Sequence, residues 1–179
     1  INPNRMIPAI RDGNFTLWES LSIVRYLCDC YGAGKLSPSN PQTRALADQW
    51  MEWSASKVFL PVIHLFFATV RTQPPDRDPG QIATFRDEAH AALNILDKHL
   101  VTQPYVCGDN FTMGDIPLGC VVYRYFNVDV YRPALPNVEA WYQRLSQRPA
   151  YKKHVMRPFG TNPDEWAALE RACASEGVV

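Results

Sequence analysis

Strand-forming chemistry is confined to the opening of this chain, and that asymmetry limits what it can fold into. Asn2-Pro3-Asn4 is turn chemistry, followed by the apolar run Ile7-Pro8-Ala9-Ile10. Asp12-Gly13 is a hairpin dipeptide, and Phe15-Thr16-Leu17-Trp18 is built from strand formers. Together they predict a β-hairpin, with Pro8 restricting the first strand to an edge or irregular position. Glu19 and Ser20 then open a helix. Leu21, Ile23, Val24, Tyr26 and Leu27 give it a broad apolar face, and Gly32 and Gly34 supply its stop signal. Two strands and one helix cannot bury a core. This piece is therefore either incomplete or leans on the remainder.

The remainder reads as helix. Residues 33–41, rich in Gly, Ser and Pro, form a linker by composition. Residues 42–72 carry Ala45, Leu46, Trp50, Trp53, Val58, Val62, Leu65 and Phe66 at helical spacing, with Pro61 expected to kink the helix. Pro74, Pro75 and Pro79 break the pattern, which resumes over 81–100. Thr112 and Asp115 have capping-box spacing, with Phe111 and Ile116 placed for a hydrophobic staple; this is a structural device with no catalytic role. A helix follows to about residue 127, then others over 136–147 and 149–156. Residues 158–179 form a tail that contains a terminal helix over 164–173.

Eighteen Lys+Arg balance eighteen Asp+Glu, so the formal net charge is zero. That argues against a nucleic-acid binder that works by basic excess. Eight Phe, eight Tyr and five Trp disfavour disorder. The most apolar stretch, 58–70, holds Pro61, His64 and Thr69 and falls short of the ~18 residues a membrane span needs. Five cysteines at irregular spacing argue against a disulfide framework and fit a reducing cytoplasm. Cys28-x-Cys30 is too close for the usual zinc or redox spacing, and His64, His90, His99 and His154 have no metal-ligand pattern, so no metal is expected. The chain begins with Ile1, inside what reads as a loop, and its natural N-terminus is expected to lie upstream.

The run Ile7-Pro8-Ala9-Ile10, then Asp12-Gly13, then Leu17-Trp18-Glu19-Ser20-Leu21-Ser22-Ile23-Val24-Arg25-Tyr26-Leu27 resembles the glutathione transferase superfamily of the cytosolic type. The 111–116 capping segment and Leu135-Pro136-Asn137-Val138 before Trp141 fit it too, so the resemblance covers about residues 1–157. It implies an α/β + α fold: a thioredoxin-like domain, βαβ followed by ββα, and then an all-α helical-bundle domain. The ββα part would occupy 1–32, the linker 33–41, the all-α domain 42–157 and the tail 158–179. The opening βαβ unit, roughly 50 residues, is not in this sequence. In the family it carries the Tyr, Ser or Cys that stabilises the glutathione thiolate, so no catalytic residue is assigned here.

What the resemblance implies for the ligand concerns five residues. Pro8 would be a cis-proline that turns the Ile7 backbone toward the cysteinyl part of glutathione, pairing like an added strand; the alternative is a plain edge-strand proline. Ser20 would donate to the γ-glutamyl carboxylate at the positive end of its helix, and Glu19 would accept from the ammonium. The alternative makes Ser20 a simple helix cap and Glu19 a first-turn acid. Arg5 would meet the glycyl carboxylate, or else is a solvated loop arginine. Trp50, Trp53 and Lys57, with Phe59, would line part of an apolar second-substrate pocket, although period-3.6 aromatics are commonly core.

The implied protein is a cytoplasmic, homodimeric detoxification enzyme. Glutathione is its co-substrate, and the thiolate attacks a small electrophile. Two rivals remain: a non-catalytic interaction or scaffold module on the same fold, and a glutathione-dependent isomerase or dehalogenase that uses the same binding residues.

Overall fold

The structure is a computed structural model that describes residues 2–32 and 34–175. Ile1, Ala33 and 176–179, which include the first residue of the expected linker and the end of the expected tail, lie outside the described residues. The elements are β1 (Ala9–Asp12), β2 (Phe15–Trp18), α1 (Ser20–Tyr31), α2 (Pro41–Trp53), α3 (Phe59–Thr69), α4 (Pro79–His99), α5 (Asp115–Asn127), α6 (Pro136–Ser146), α7 (Pro149–His154) and α8 (Pro163–Ser175). A ββα piece followed by an all-helical remainder is the expected fold class.

The chain forms two compact units. The first comprises Ile1–Trp53 and Gln103–Leu118; the second comprises Ser54–Thr102 and Gly119–Val179. Residues 41–53 and 103–118 thus group with the hairpin, although the linker by composition precedes them.

In the first unit β1 and β2 pair antiparallel, with Ala9 opposite Trp18 and Asp12 opposite Phe15. The loop is therefore Gly13-Asn14, and Asp12 closes the ladder. Only Gly13 of the two has positive φ (57°), the pattern of a type II′ turn, in which glycine takes the first loop position. A small core explains why α2 and the 103–118 loop belong here. Cys28 of α1, Ala47 and Met51 of α2 and Met113 of the loop are buried together, with Leu21, Val24, Leu36, Cys107 and Ile116 packed around them. Gly114 permits a close approach: a Cβ there would stand 2.9 Å from Val106 and 3.1 Å from the Ala47 carbonyl oxygen. Arg25 of α1 bonds Asp48 of α2 at 2.7 Å and also pairs with Glu52. Asp115, fully buried, accepts from the N–H groups of Thr112 (2.9 Å) and Val106 (3.1 Å) and from the Thr112 hydroxyl. The return half of the capping box is made as expected, while the threonine hydroxyl donates to the carboxylate. Phe111 packs edge-on against Tyr105.

The second unit opens with a π-helical turn, Ser54–Val58, ahead of α3. The break expected at Pro61 thus sits one turn earlier. Proline removes the N–H that would bond Lys57 and its ring crowds that carbonyl, so the wider turn absorbs the misfit around residue 57. Val62, Leu65, Phe66 and Thr69 face inward from α3, and Ala89, Leu93 and Leu96 from α4. Pro79 starts α4 instead of only breaking what precedes it: it sits in the first turn, and Asp78 caps Gly80 and Gln81. Buried Asp97, near the C-terminal end of α4, accepts from the N–H groups of Asn137 (2.8 Å) and Val138 (3.0 Å) in α6. The C-terminal segment is anchored by its aromatics: Phe159 and Trp166 stack edge-on against Phe66 at 5.1 and 5.3 Å. Among the described residues no helix is long and apolar enough to cross a membrane.

Candidate functional site

The register of the hairpin brings four of the sequence-chosen residues to one place. Ala9 faces Trp18, so Ile7-Pro8 and Glu19-Ser20 flank the same end of the ladder, opposite the Gly13-Asn14 turn. The Ile7–Pro8 bond is cis. Ile7 is 92% exposed, and its backbone N–H and C=O make no hydrogen bond among the described residues. An extended ligand backbone placed here meets one free donor and one free acceptor, the elements of strand-like pairing.

Glu19 is the residue before α1, at φ 74° and ψ 114°, and its carbonyl accepts the first helical bond, from Ile23 at 2.9 Å. Positive φ is costly for a residue with a Cβ, and such outliers cluster at ligand-binding positions. Glu19 and Ser20 are both exposed, and neither side chain makes a capping hydrogen bond. The capping alternative is therefore absent: Ser20 is the first helical residue, not the cap. The N–H groups of Ser20, Leu21 and Ser22 have no partner among the described residues, as expected at an uncapped helix start. Three donors, a hydroxyl and the positive helix end suit a carboxylate, and the Glu19 carboxylate suits an ammonium. Arg5 lies upstream in an Asn2-anchored turn at φ 55°, with its side chain exposed and without a partner among the described residues.

The second set of residues falls in both units. Trp50 is 7% exposed and belongs to the core, and it meets half-buried Trp53 edge-on at 5.0 Å. Lys57 is exposed in the π-helical turn of the second unit, and Phe59 is exposed at the start of α3.

Residues that the sequence reading passed over support the site from behind. The hydroxyls of Tyr26 (2.8 Å) and Tyr31 both donate to the Asp12 carboxylate, and Phe15 packs on Tyr26 with ring centroids 5.1 Å apart. The Tyr31 bond, then the Tyr26 bond, hold the Asp12 pKa below its ordinary value, and both phenols are raised in return. Tyr26 was visible only as an apolar-face residue, and nothing local pairs it with Asp12. The thiols offer no ready nucleophile in the core: burial pushes Cys28 up to about 11 and raises Cys107 and Cys120. All five cysteines are free, and among the described residues no three His, Cys, Asp or Glu side chains converge as a metal site would require.

Comparison with known proteins identifies the family of the chain. A family model described as "Glutathione S-transferase, C-terminal domain" matches residues 79–144. Glutathione S-transferase GstB of Escherichia coli is 38% identical over 160 residues, covering 88% of this chain and 77% of that protein. Glutathione S-transferase D6 of Drosophila melanogaster is 30% identical, covering 88% and 72%. The crystal structure of a theta class glutathione S-transferase from Xanthomonas axonopodis pv. citri, with glutathione bound, superposes with a TM-score of 0.85. Its sequence is 43% identical, and the match covers 89% of this chain and 76% of that one. The chain belongs to the glutathione S-transferase family.

Proposed function

We propose that glutathione binds at the open end of the hairpin and that the protein catalyses attack of its thiolate on a small electrophile. The observation that carries this is the placement of the unpaired Ile7 backbone beside the uncapped start of α1. The cysteinyl backbone pairs with Ile7. The γ-glutamyl carboxylate takes the Ser20 N–H and hydroxyl, Glu19 takes the ammonium, and Arg5 reaches the glycyl carboxylate. Residues 1–32 serve as part of the glutathione-binding domain and 42–157 as the helical domain. Trp53, half-buried beside Trp50, and the exposed Lys57 and Phe59 are the members of the second set with surface to offer an electrophile. Binding at this end positions glutathione and neutralises its charges; deprotonating the thiol is assigned to no residue of this chain. A cytoplasmic homodimer fits the free thiols and the family. A scaffold role on the same fold predicts no glutathione dependence.

Ser20→Ala tests the reading. It removes one charge-assisted hydrogen bond worth roughly 1.5–3 kcal/mol, so affinity for glutathione drops by about tenfold to a hundredfold. Calorimetric titration measures it. Wild-type affinity in Ser20→Ala overturns the assignment.

A further inference from the structure

The Asp12 carboxylate stands at the turn end of the hairpin, remote from the proposed ligand end. α1 leaves the ligand end at Ser20 and returns along the hairpin, because Tyr26 and Tyr31 both reach Asp12. Ser20 to Tyr31 spans about 16 Å at 1.5 Å per residue. The helix is thus attached to the hairpin covalently through Glu19, by the packing of Phe15 on Tyr26, and through two phenol hydroxyls on one carboxylate. Among the described residues no other side-chain hydrogen bond joins hairpin to helix. Arg25 ties α1 to α2 instead, through Asp48 and Glu52.

A helix held at one end can pivot there, and its terminal N–H groups turn with its axis. Pivoting about Glu19 would re-aim the N–H groups of Ser20, Leu21 and Ser22 relative to Ile7. We propose that Asp12, through Tyr26 and Tyr31, is a positioning residue for glutathione: its clasp fixes the angle between α1 and the hairpin, and so the spacing between the two ligand-binding edges. This rests on the glutathione reading above and adds three residues that touch no ligand. Tyr31, exposed at 65%, gains little from burial, so its hydroxyl contact with Asp12 is the feature that accounts for its placement. A carboxylate that accepts from two neutral donors holds both at once; an amide oxygen does so more weakly.

The test uses Asp12→Asn, the double variant Tyr26→Phe with Tyr31→Phe, and the single Tyr31→Phe, in the full chain well below the melting temperature. The expected result is a glutathione Kd raised about threefold to tenfold in Asp12→Asn, the equivalent of one ordinary hydrogen bond. The double variant shows a similar loss, and adding Asp12→Asn to it changes nothing further, as for residues acting as one unit. The amide resonances of Ser20, Leu21 and Ser22 move in every variant, without glutathione present. Unchanged Kd and unmoved resonances, whatever happens to the melting temperature, overturn the clasp. If Asp12→Asn does not fold, Tyr31→Phe decides alone, with a Kd raised about twofold or else unchanged. Should wild-type protein bind no glutathione, the ligand reading falls; moved resonances in Asp12→Asn then keep the clasp, and unmoved ones remove it.

Discussion

The starts of α1 and α6 face the same problem and solve it oppositely. Neither Glu19 nor Leu135, the residues before them, supplies a capping side chain. At α6 the fold sends in a carboxylate from elsewhere: one oxygen of Asp97 takes two successive N–H groups, and the other takes the Asn137 side-chain amide at 3.0 Å. At α1 no side chain arrives, and the preceding residue is held at positive φ. Asp97 shows in miniature what the γ-glutamyl carboxylate would do at Ser20 under the proposed function. A helix start closed from within is structural, and one left to solvent beside an unpaired strand edge is where a ligand finds its donors.

Removing the internal carboxylate should break the comparison most forcibly. Asp97→Ala leaves two backbone donors at α6 without their acceptor and costs about 2–4 kcal/mol of stability. Urea unfolding reads the loss, and glutathione affinity stays at the wild-type value. Parallel loss of affinity would show that the two helix starts are not independent. Glu19→Gly sharpens the contrast in the other direction. It relieves the positive φ and raises stability by about 1 kcal/mol, while weakening glutathione binding through the lost ammonium acceptor. A lower melting temperature in that variant would mean the backbone is unstrained there. The smallest effect concerns acid. The folded pKa of Asp12 is depressed, first by Tyr31 and then by Tyr26. Its stabilisation is thus present above the unfolded value, about 3.9, and is lost as pH falls through the folded value. Asp12→Asn should flatten that acid limb of the unfolding curve slightly. An identical limb in both proteins would count against the phenol–carboxylate contacts.

Much of this was legible because it is local. The hairpin, α1, the prolines that bound the helices and the Asp115 return bond each lie within a few residues of their signal. Ile7, Pro8, Glu19 and Ser20 stand out through the family motif, and the register explains how such separated residues come to flank one end of the hairpin. What sequence reading missed is non-local or conformational. Asp97 lies forty residues before the N–H groups it meets. Asp12 finds its phenols only once α1 folds back. The grouping of α2 and 103–118 with the hairpin follows from Met113 and Ala47 meeting Cys28, which no local pattern encodes. The turn was read one residue early, since Asp12-Gly13 and Gly13-Asn14 are both turn dipeptides and only pairing decides between them. Positive φ at a glutamate has no compositional signal.

The reach of Asp97 also bears on the order of folding. α6 is an eleven-residue helix, shorter than the ~12–15 residues at which an isolated helix becomes even marginal in water. Its first donors are satisfied only when the last turns of α4 are already helical and docked. Formation of α6 is therefore expected to depend on α4, and losing either end of the contact uncouples them. Within the second unit, α4 and α6 are then expected to lose structure together, although forty residues of chain separate the two sides of the contact.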